Sequence, residues 1–296
     1  MKDAFSTFHP VVNFTYFTAV LLFSMFSLHP VFQAISLTCS VLYFFLLGGQ
    51  RATRFSLLYL LLFGLFMAVI NPAFNHAGVT ILFYLKNGNP ITLESILYGL
   101  ASAAMFMAVI MWFSCFNIVM TADKFVYLFG RVVPALALVL SMALRFVPRY
   151  RVQIRVISTA RQGVGRDVTN GSVFERARNG LQILSMMATW ALENAIETAD
   201  SMKSRGYGLP RRTSFSIFRF DRRDRAVCGV MLLLVSVVFA GAITGSSTMR
   251  FFPSLKLPPP NVFSSGVYCA YLALCLLPVI IDLLEELKWK RIKSGL

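Results

Sequence analysis

Between Asp3 and Arg51 the sequence contains no Asp, Glu, Lys or Arg. Charged residues make up 14% of its 296 positions, against about 25% in a typical soluble domain. No water-soluble fold needs such a stretch, so the chain reads as an integral membrane protein. Paired cysteines are also missing. Cys39, Cys115, Cys228, Cys269 and Cys275 are scattered through apolar runs with no CxxC spacing. That excludes a disulfide framework and leaves them as small buried hydrophobes. His9, His29 and His76 lie far apart near expected helix ends, so no metal and no cofactor is assigned. No GxxxxGK phosphate loop occurs, and the glycines of "LGGQRATR" lack its spacing and its strand–helix setting. The expected spans have no Asp or Glu at their centres, where an ion-coupled transporter usually places ionisable groups.

What is present is apolar length. Hydrophobic residues are 57% of the chain, and a span needs roughly 20 of them in a row. The run Val11 to Leu47 accommodates two spans, broken at His29-Pro30. It lacks a strongly basic n-region and a small-residue cleavage site, so it reads as a retained first helix. Phe55 to Ile70 is a third span, ending at Asn71-Pro72. Residues 73–94 read as a loop or a short dip. Ser95 to Ala122 is a fourth span, Ala226 to Ile243 a fifth, and Val267 to Ile281 the core of a sixth. Val132 to Leu144 is apolar but short: a half-span, a re-entrant piece or the start of the next helix.

The net charge of +15 raises the question of nucleic acid, but its distribution answers otherwise. Basic residues lie between and after the apolar runs, as the positive-inside rule predicts. Nothing else in the chain points to nucleic acid; the partner of these loops is the lipid bilayer. Arg51, Arg54 and the tail "KWKRIKSGL" mark inside segments, while 71–94 and 244–266 hold only Lys86, Arg250 and Lys256. Both termini are therefore expected in the cytoplasm.

Residues 145–225 hold sixteen Lys or Arg against seven Asp or Glu and are expected on the same side. They are periodic. Val147, Tyr150, Ile154 and Ile157 recur at helical steps, with Arg145, Arg149, Arg151 and Arg155 mostly off that stripe. After the linker "GVGRDVTNGS", Ser172 and Glu175 make a capping-box pattern. A second helix is expected from there to Arg205, with Gly180 as its one kink and Leu181, Leu184, Met187 and Trp190 on one face. At 1.5 Å per residue that is roughly 50 Å. Gly206, Gly208 and Pro210 end it. The expected architecture is all-α: about six transmembrane helices plus a cytoplasmic module of two long helices. The parts are 1–144 and 226–296 in the membrane and 145–225 outside it.

Arg205 lies in the last turn, where a cation is favoured by the helix dipole at about 0.3–1 kcal/mol. A planar guanidinium on a stiff helix end is also suited to bidentate pairing with a carboxylate on another protein. Its setting, Ala199, Asp200, Met202, Arg205, Gly206, Tyr207 and Gly208 in "ADSMKSRGYG", with "RFVP" at 145–148 upstream, resembles the transmembrane T component of energy-coupling factor (ECF) transporters. These are ABC-type importers of vitamins and metals in prokaryotic cell membranes.

The resemblance implies a non-catalytic coupling subunit. Two cytoplasmic ABC ATPases would move two coupling helices, each docked by a small-Arg-small triplet. The chain would relay that motion to a separate substrate-binding S component. The second triplet is Ser204-Arg205-Gly206. The first, counted from Arg145-Phe146, falls on Gly163-Val164-Gly165, with valine for arginine. Ala160-Arg161-Gln162, about one helical turn earlier, is the triplet expected to dock in its place, and Arg166 is a third candidate. Two other readings remain. One is a stand-alone ion-coupled transporter, which needs intramembrane acids or inverted repeats. The other is a membrane enzyme with a di-metal site on Glu193, Glu197 and Asp200; no His lies within a turn of them.

Overall fold

The computed structural model describes residues 3–84, 89–130, 132–166, 168–169, 171–207, 218–245, 249–253, 255 and 262–294. Among these the protein is an all-α membrane protein: α1 (Pro10–Phe26), α2 (Pro30–Phe74), α3 (Leu93–Val119), α4 (Ala122–Gly130), α5 (Pro134–Gly163), α6 (Val173–Ser204), α7 (Arg222–Ile243) and α8 (Val262–Ser294). The chain divides into two compact units, one of residues 1–121 with 218–296 and one of 122–217.

The first unit holds the membrane helices. Five segments are long and apolar enough to cross a bilayer: Pro30–Gly49, Ser56–Phe74, Leu93–Val119, Arg222–Ile243 and Val262–Lys293. The expected first span is α1, whose 17 residues are at the short end of what a bilayer requires. α2 carries two spans across a break at Gly49, where φ is +74°. It also runs through Pro72 to Phe74 instead of stopping at Asn71. Pro72 is in the last turn, so little helix follows the hydrogen bond its missing N–H forgoes.

α1 and α2 begin alike. His9 and His29 are the caps, each Nδ1 accepting the N–H two residues on at 3.3 Å, with Pro10 and Pro30 in the first turn. Proline suits that turn because its N–H would have no helical partner there. The segment read as a loop or dip contains a small antiparallel ribbon, β1 (Ile81–Tyr84) and β2 (Pro90–Thr92), pairing Ile81 with Thr92 and Tyr84 with Pro90. Short apolar runs of this length do not reveal their type by periodicity.

The core of this unit is aromatic. Tyr16, Phe17, Phe32, Tyr43, Trp112 and Tyr271 are all fully enclosed. Polar links join the helices inside it. Trp112 Nε1 donates to Ser36 Oγ at 3.0 Å, Ser36 and Ser24 hydroxyls meet at 2.9 Å, and Tyr16 donates to the Cys275 carbonyl at 3.1 Å. In lipid such bonds hold helices together where the hydrophobic effect does not. At one end the acids are tied to backbone donors. Asp282 accepts from the N–H groups of Ala4 and Phe5 at 2.8 and 3.0 Å, and Asp224 from that of His9 at 3.1 Å.

The second unit consists of α4, α5 and α6. The short apolar segment after residue 132 is the start of α5, which opens with Pro134 in its first turn and continues unbroken into the basic stretch. α5 and α6 pack antiparallel, Tyr150 facing Trp190 and Arg161 facing Asn179 and Gln182. α6 is 32 residues long, about 48 Å, and passes through Gly180 without a break.

Candidate functional site at two matched helix ends

α6 is built to be stiff and to stop sharply. At its start the capping box is complete. Ser172 N–H donates to Glu175 Oε2 at 2.9 Å, and Glu175 N–H donates to Ser172 Oγ at 3.3 Å. Those Ser172 bonds, backbone first, hold the Glu175 carboxyl below the usual carboxylate range. Asn179, Ile183, Met187 and Trp190 form the face toward α5. Ile183 and Met187 are each only 7% exposed. Leu181 and Leu184, expected on one face with Met187 and Trp190, are instead 67% and 61% exposed. Leu181 shares a face with the exposed Leu192 and Ile196 on the side away from α5, and Leu184 lies between the two faces.

On α5 the packed stripe is Phe146, Tyr150, Gln153, Ile157 and Arg161, while Val147 and Ile154 are exposed. The face thus keeps Tyr150 and Ile157 from the periodic reading and is turned by less than half of one residue's rotation. Phe146 stacks on Tyr150 at 5.8 Å, Tyr150 meets Trp190 edge-on at 5.6 Å, and the Arg149 guanidinium lies 5.5 Å from the Trp190 ring centre.

The two helices end in the same motif. In α6 the Tyr207 N–H bonds to the Met202 carbonyl and the Gly206 N–H to that of Lys203, both at 3.0 Å. In α5 the Arg166 N–H bonds to the Arg161 carbonyl at 3.1 Å and the Gly165 N–H to that of Gln162 at 2.9 Å. These are the paired six-to-one and five-to-two bonds of a Schellman stop. Each needs a residue at positive φ after the cap, and glycine supplies it: Gly165 at +71° and Gly206 at +75°. The caps themselves are Val164 (φ −98°, ψ 8°) and Arg205 (φ −84°, ψ 5°). Position by position, Gly163-Val164-Gly165 matches Ser204-Arg205-Gly206.

The expected site residues divide accordingly. Ser204 and Arg205 are exposed, and the Arg205 guanidinium has no hydrogen-bond or ion-pair partner among the described residues. Ala199 and Asp200 are exposed on the same last turns, Met202 is half-buried, and Tyr207 follows the stop. Gly208 and Pro210 lie outside the described residues. Ala160 and Gln162 are exposed, but Arg161 is half-buried. Its Nη2 donates to Gln182 Oε1 and, at 3.5 Å, to Asn179 Oδ1. Arg166 is exposed at the position matching Tyr207. Glu193, Glu197 and Asp200 are exposed, and among the described residues no group of three His, Cys, Asp or Glu is arranged to hold a metal ion.

The matched ends were within reach of the sequence. Both are a small residue, one side chain and a glycine followed by a larger residue. The inward turn of Arg161 was not, because it depends on which residues of α6 lie opposite.

No family model matches the chain. Parts of it are similar to curated bacterial proteins named energy-coupling factor transporter transmembrane protein EcfT. The protein of Lacticaseibacillus paracasei is 36% identical over 107 residues, 36% of this chain and 40% of the relative. That of Bacillus selenitireducens is 33% identical over 111 residues, 37% of this chain and 41% of the relative. That of Lactobacillus helveticus is 34% identical over 107 residues, 36% and 39% respectively. The matched stretch therefore spans about two fifths of the length of these relatives.

Proposed function

We propose that this chain is the transmembrane coupling subunit of an ECF-type importer, relaying the motion of two cytoplasmic ATPases to a separate substrate-binding subunit in the membrane. The observation that carries the reading is the pair of identically stopped helix ends on one antiparallel hairpin, one of them presenting Arg205. A guanidinium held by 32 residues of capped helix is a rigid lever tip. It offers a planar fork to a carboxylate and loses little freedom on docking.

In this reading Ser204-Arg205-Gly206 docks on one ATPase and the α5 end on the other. The first contact belongs to Ala160-Arg161-Gln162, to Gly163-Val164-Gly165 or to Arg166. The matching of the two Schellman stops, and the bonds of Arg161 to α6, favour the second. Residues 145–225 are the cytoplasmic coupling region, both termini lie on the same side, and the cargo is a vitamin or a metal. The motif from Ala199 to Gly208 shapes the lever's end. The exposed apolar face of Leu181, Leu192 and Ile196 supports an apolar partner surface, as the substrate-binding subunit would offer. Energy comes from the partners, consistent with a sequence that has no phosphate-binding loop.

The test is capture of the tagged chain from detergent-solubilised membranes of its native host. Two different ATP-binding cassette subunits and a small, very hydrophobic integral protein are expected. Recovery of the chain alone, active in liposomes under an ion gradient without ATP, would replace this reading with a self-contained transporter.

A further inference from the structure

Val164 and Arg205 have the same backbone conformation, the same hydrogen-bonded stop and unlike chemistry. Val164 is 76% exposed. A side chain built on either flanking residue, Gly163 or Gly165, would meet nothing within 4 Å. The valine is therefore an isolated apolar tip. Its φ of −98° suits any L-residue, so the backbone does not demand valine.

We propose that the α5 end docks by this uncharged tip into an apolar pocket of one ATPase subunit, while Arg205 meets an acidic groove on the other. The inference rests on the coupling-subunit reading above. Its argument is complementarity at a desolvated contact. If the pocket facing α5 presented a carboxylate, valine would leave that group buried without a partner, which is strongly unfavourable. An apolar pocket instead gains from each part of the valine taken out of water. Neither nearby cation restores an arginine contact at this position. Arg161 is bonded to Asn179 and Gln182. Arg166 stands two residues farther on, where α6 has Tyr207. The consequence is that the two ATPase subunits are not interchangeable, and that the chain fixes which of them sits at which helix end.

The experiment uses the full complex, with the chain co-expressed alongside the ATPases recovered with it. A photo-crosslinking p-benzoylphenylalanine is placed at position 164 or at 205, and the adducts are mapped. Position 164 is expected to attach to one subunit at a site free of Asp and Glu, and position 205 to the other subunit beside an acidic residue. Val164→Arg and Val164→Asp are each expected to reduce ATPase recovery at least ten-fold, while Val164→Leu leaves it within two-fold. All three sit at an exposed cap of permissive geometry, and circular dichroism and gel filtration of the chain alone check that folding is unchanged. Equal or better recovery with Val164→Arg would overturn the proposal, because it reveals an acidic pocket. So would tolerance of Val164→Asp with loss on Arg166→Glu, which moves the contact to a charge. Absence of ATPase adducts from both positions would instead defeat the coupling reading itself.

Discussion

The guanidinium of Arg149 lies over the ring of Trp190, 5.5 Å from its centre, and this contact joins α5 to α6 near their middle. Tyr150 approaches the same ring edge-on, so Trp190 meets two consecutive residues of α5. Cation–π contacts at partly exposed sites contribute about 0.5–1 kcal/mol, and loss of the ring's packing adds to that. Trp190→Ala should destabilise the hairpin by about 2 kcal/mol, less than the 3–5 kcal/mol of a fully buried Trp. Trp190→Phe should keep most of the edge contact. Hydrogen exchange of the detergent-solubilised chain reads this as faster exchange of α5 and α6 amides in the alanine variant. Unchanged exchange would show that the helices do not depend on this ring.

Farther toward the stops, Arg161 joins α5 to Asn179 and Gln182. Hydrogen bonds to a charged group are worth about 1.5–3 kcal/mol, reduced here because the residue is half-exposed. Arg161→Gln should therefore raise exchange at residues 176–183 several-fold in the chain free of any partner. A side chain reserved for docking would leave the free chain unaltered and affect only the complex. The two roles separate on that single measurement.

Local rules made several of these features legible. The Ser172–Glu175 capping box, the break at His29-Pro30 and the stop at Gly206 each depend on a few adjacent residues, and each was readable as written. The packed faces of α5 and α6 were harder. Leu181 and Leu184 share helical spacing with Met187, and only the partner helix decides which stripe is covered. The ribbon of Ile81–Tyr84 with Pro90–Thr92 was hidden for a related reason, since four apolar residues fit a strand, a loop or a dip equally well. Arg161 illustrates the general limit. The resemblance marked it as a candidate docking residue, but its bonds are set by the register of two helices, which periodicity does not contain.

The capping box gives a prediction with a definite pH sign. Ser172→Ala should destabilise the start of α6 by about 1 kcal/mol, seen as fraying of residues 173–178 in hydrogen exchange. Glu175 has a pKa lowered by its bonds to Ser172. A depressed folded pKa means that this contribution is fully present above the unfolded value, about 4.3, and is lost as pH falls through the folded value. Fraying of the native first turn should therefore increase below pH 4. In Glu175→Gln the same turn should show little change over that range. A native chain equally protected at pH 3 and pH 6 would remove the charged carboxylate from the cap.

Arg205 supplies the sharpest test of the coupling reading, because its substitution leaves the rest of the chain alone. The residue is exposed, caps its helix through backbone atoms, and bonds to no described side chain. Arg205→Glu reverses the charge at a helix C-terminus, a loss of about 1 kcal/mol or less from the dipole, which is too little to unfold 32 residues of helix. If the guanidinium pairs with a carboxylate on an ATPase, the reversal sets two like charges together in a desolvated contact. Recovery of that ATPase should then fall at least ten-fold. Arg205→Lys keeps the charge but not the two-pronged geometry, so it should bind with intermediate strength and greater sensitivity to salt. The comparison of Glu, Lys and Arg at several ionic strengths separates a docking charge from a helix-capping one. A capping role alone predicts that Lys equals Arg and that Glu costs only the dipole's share. Docking predicts the order Arg, then Lys, then Glu, with the gap between Arg and Glu narrowing as salt screens the attraction and the repulsion.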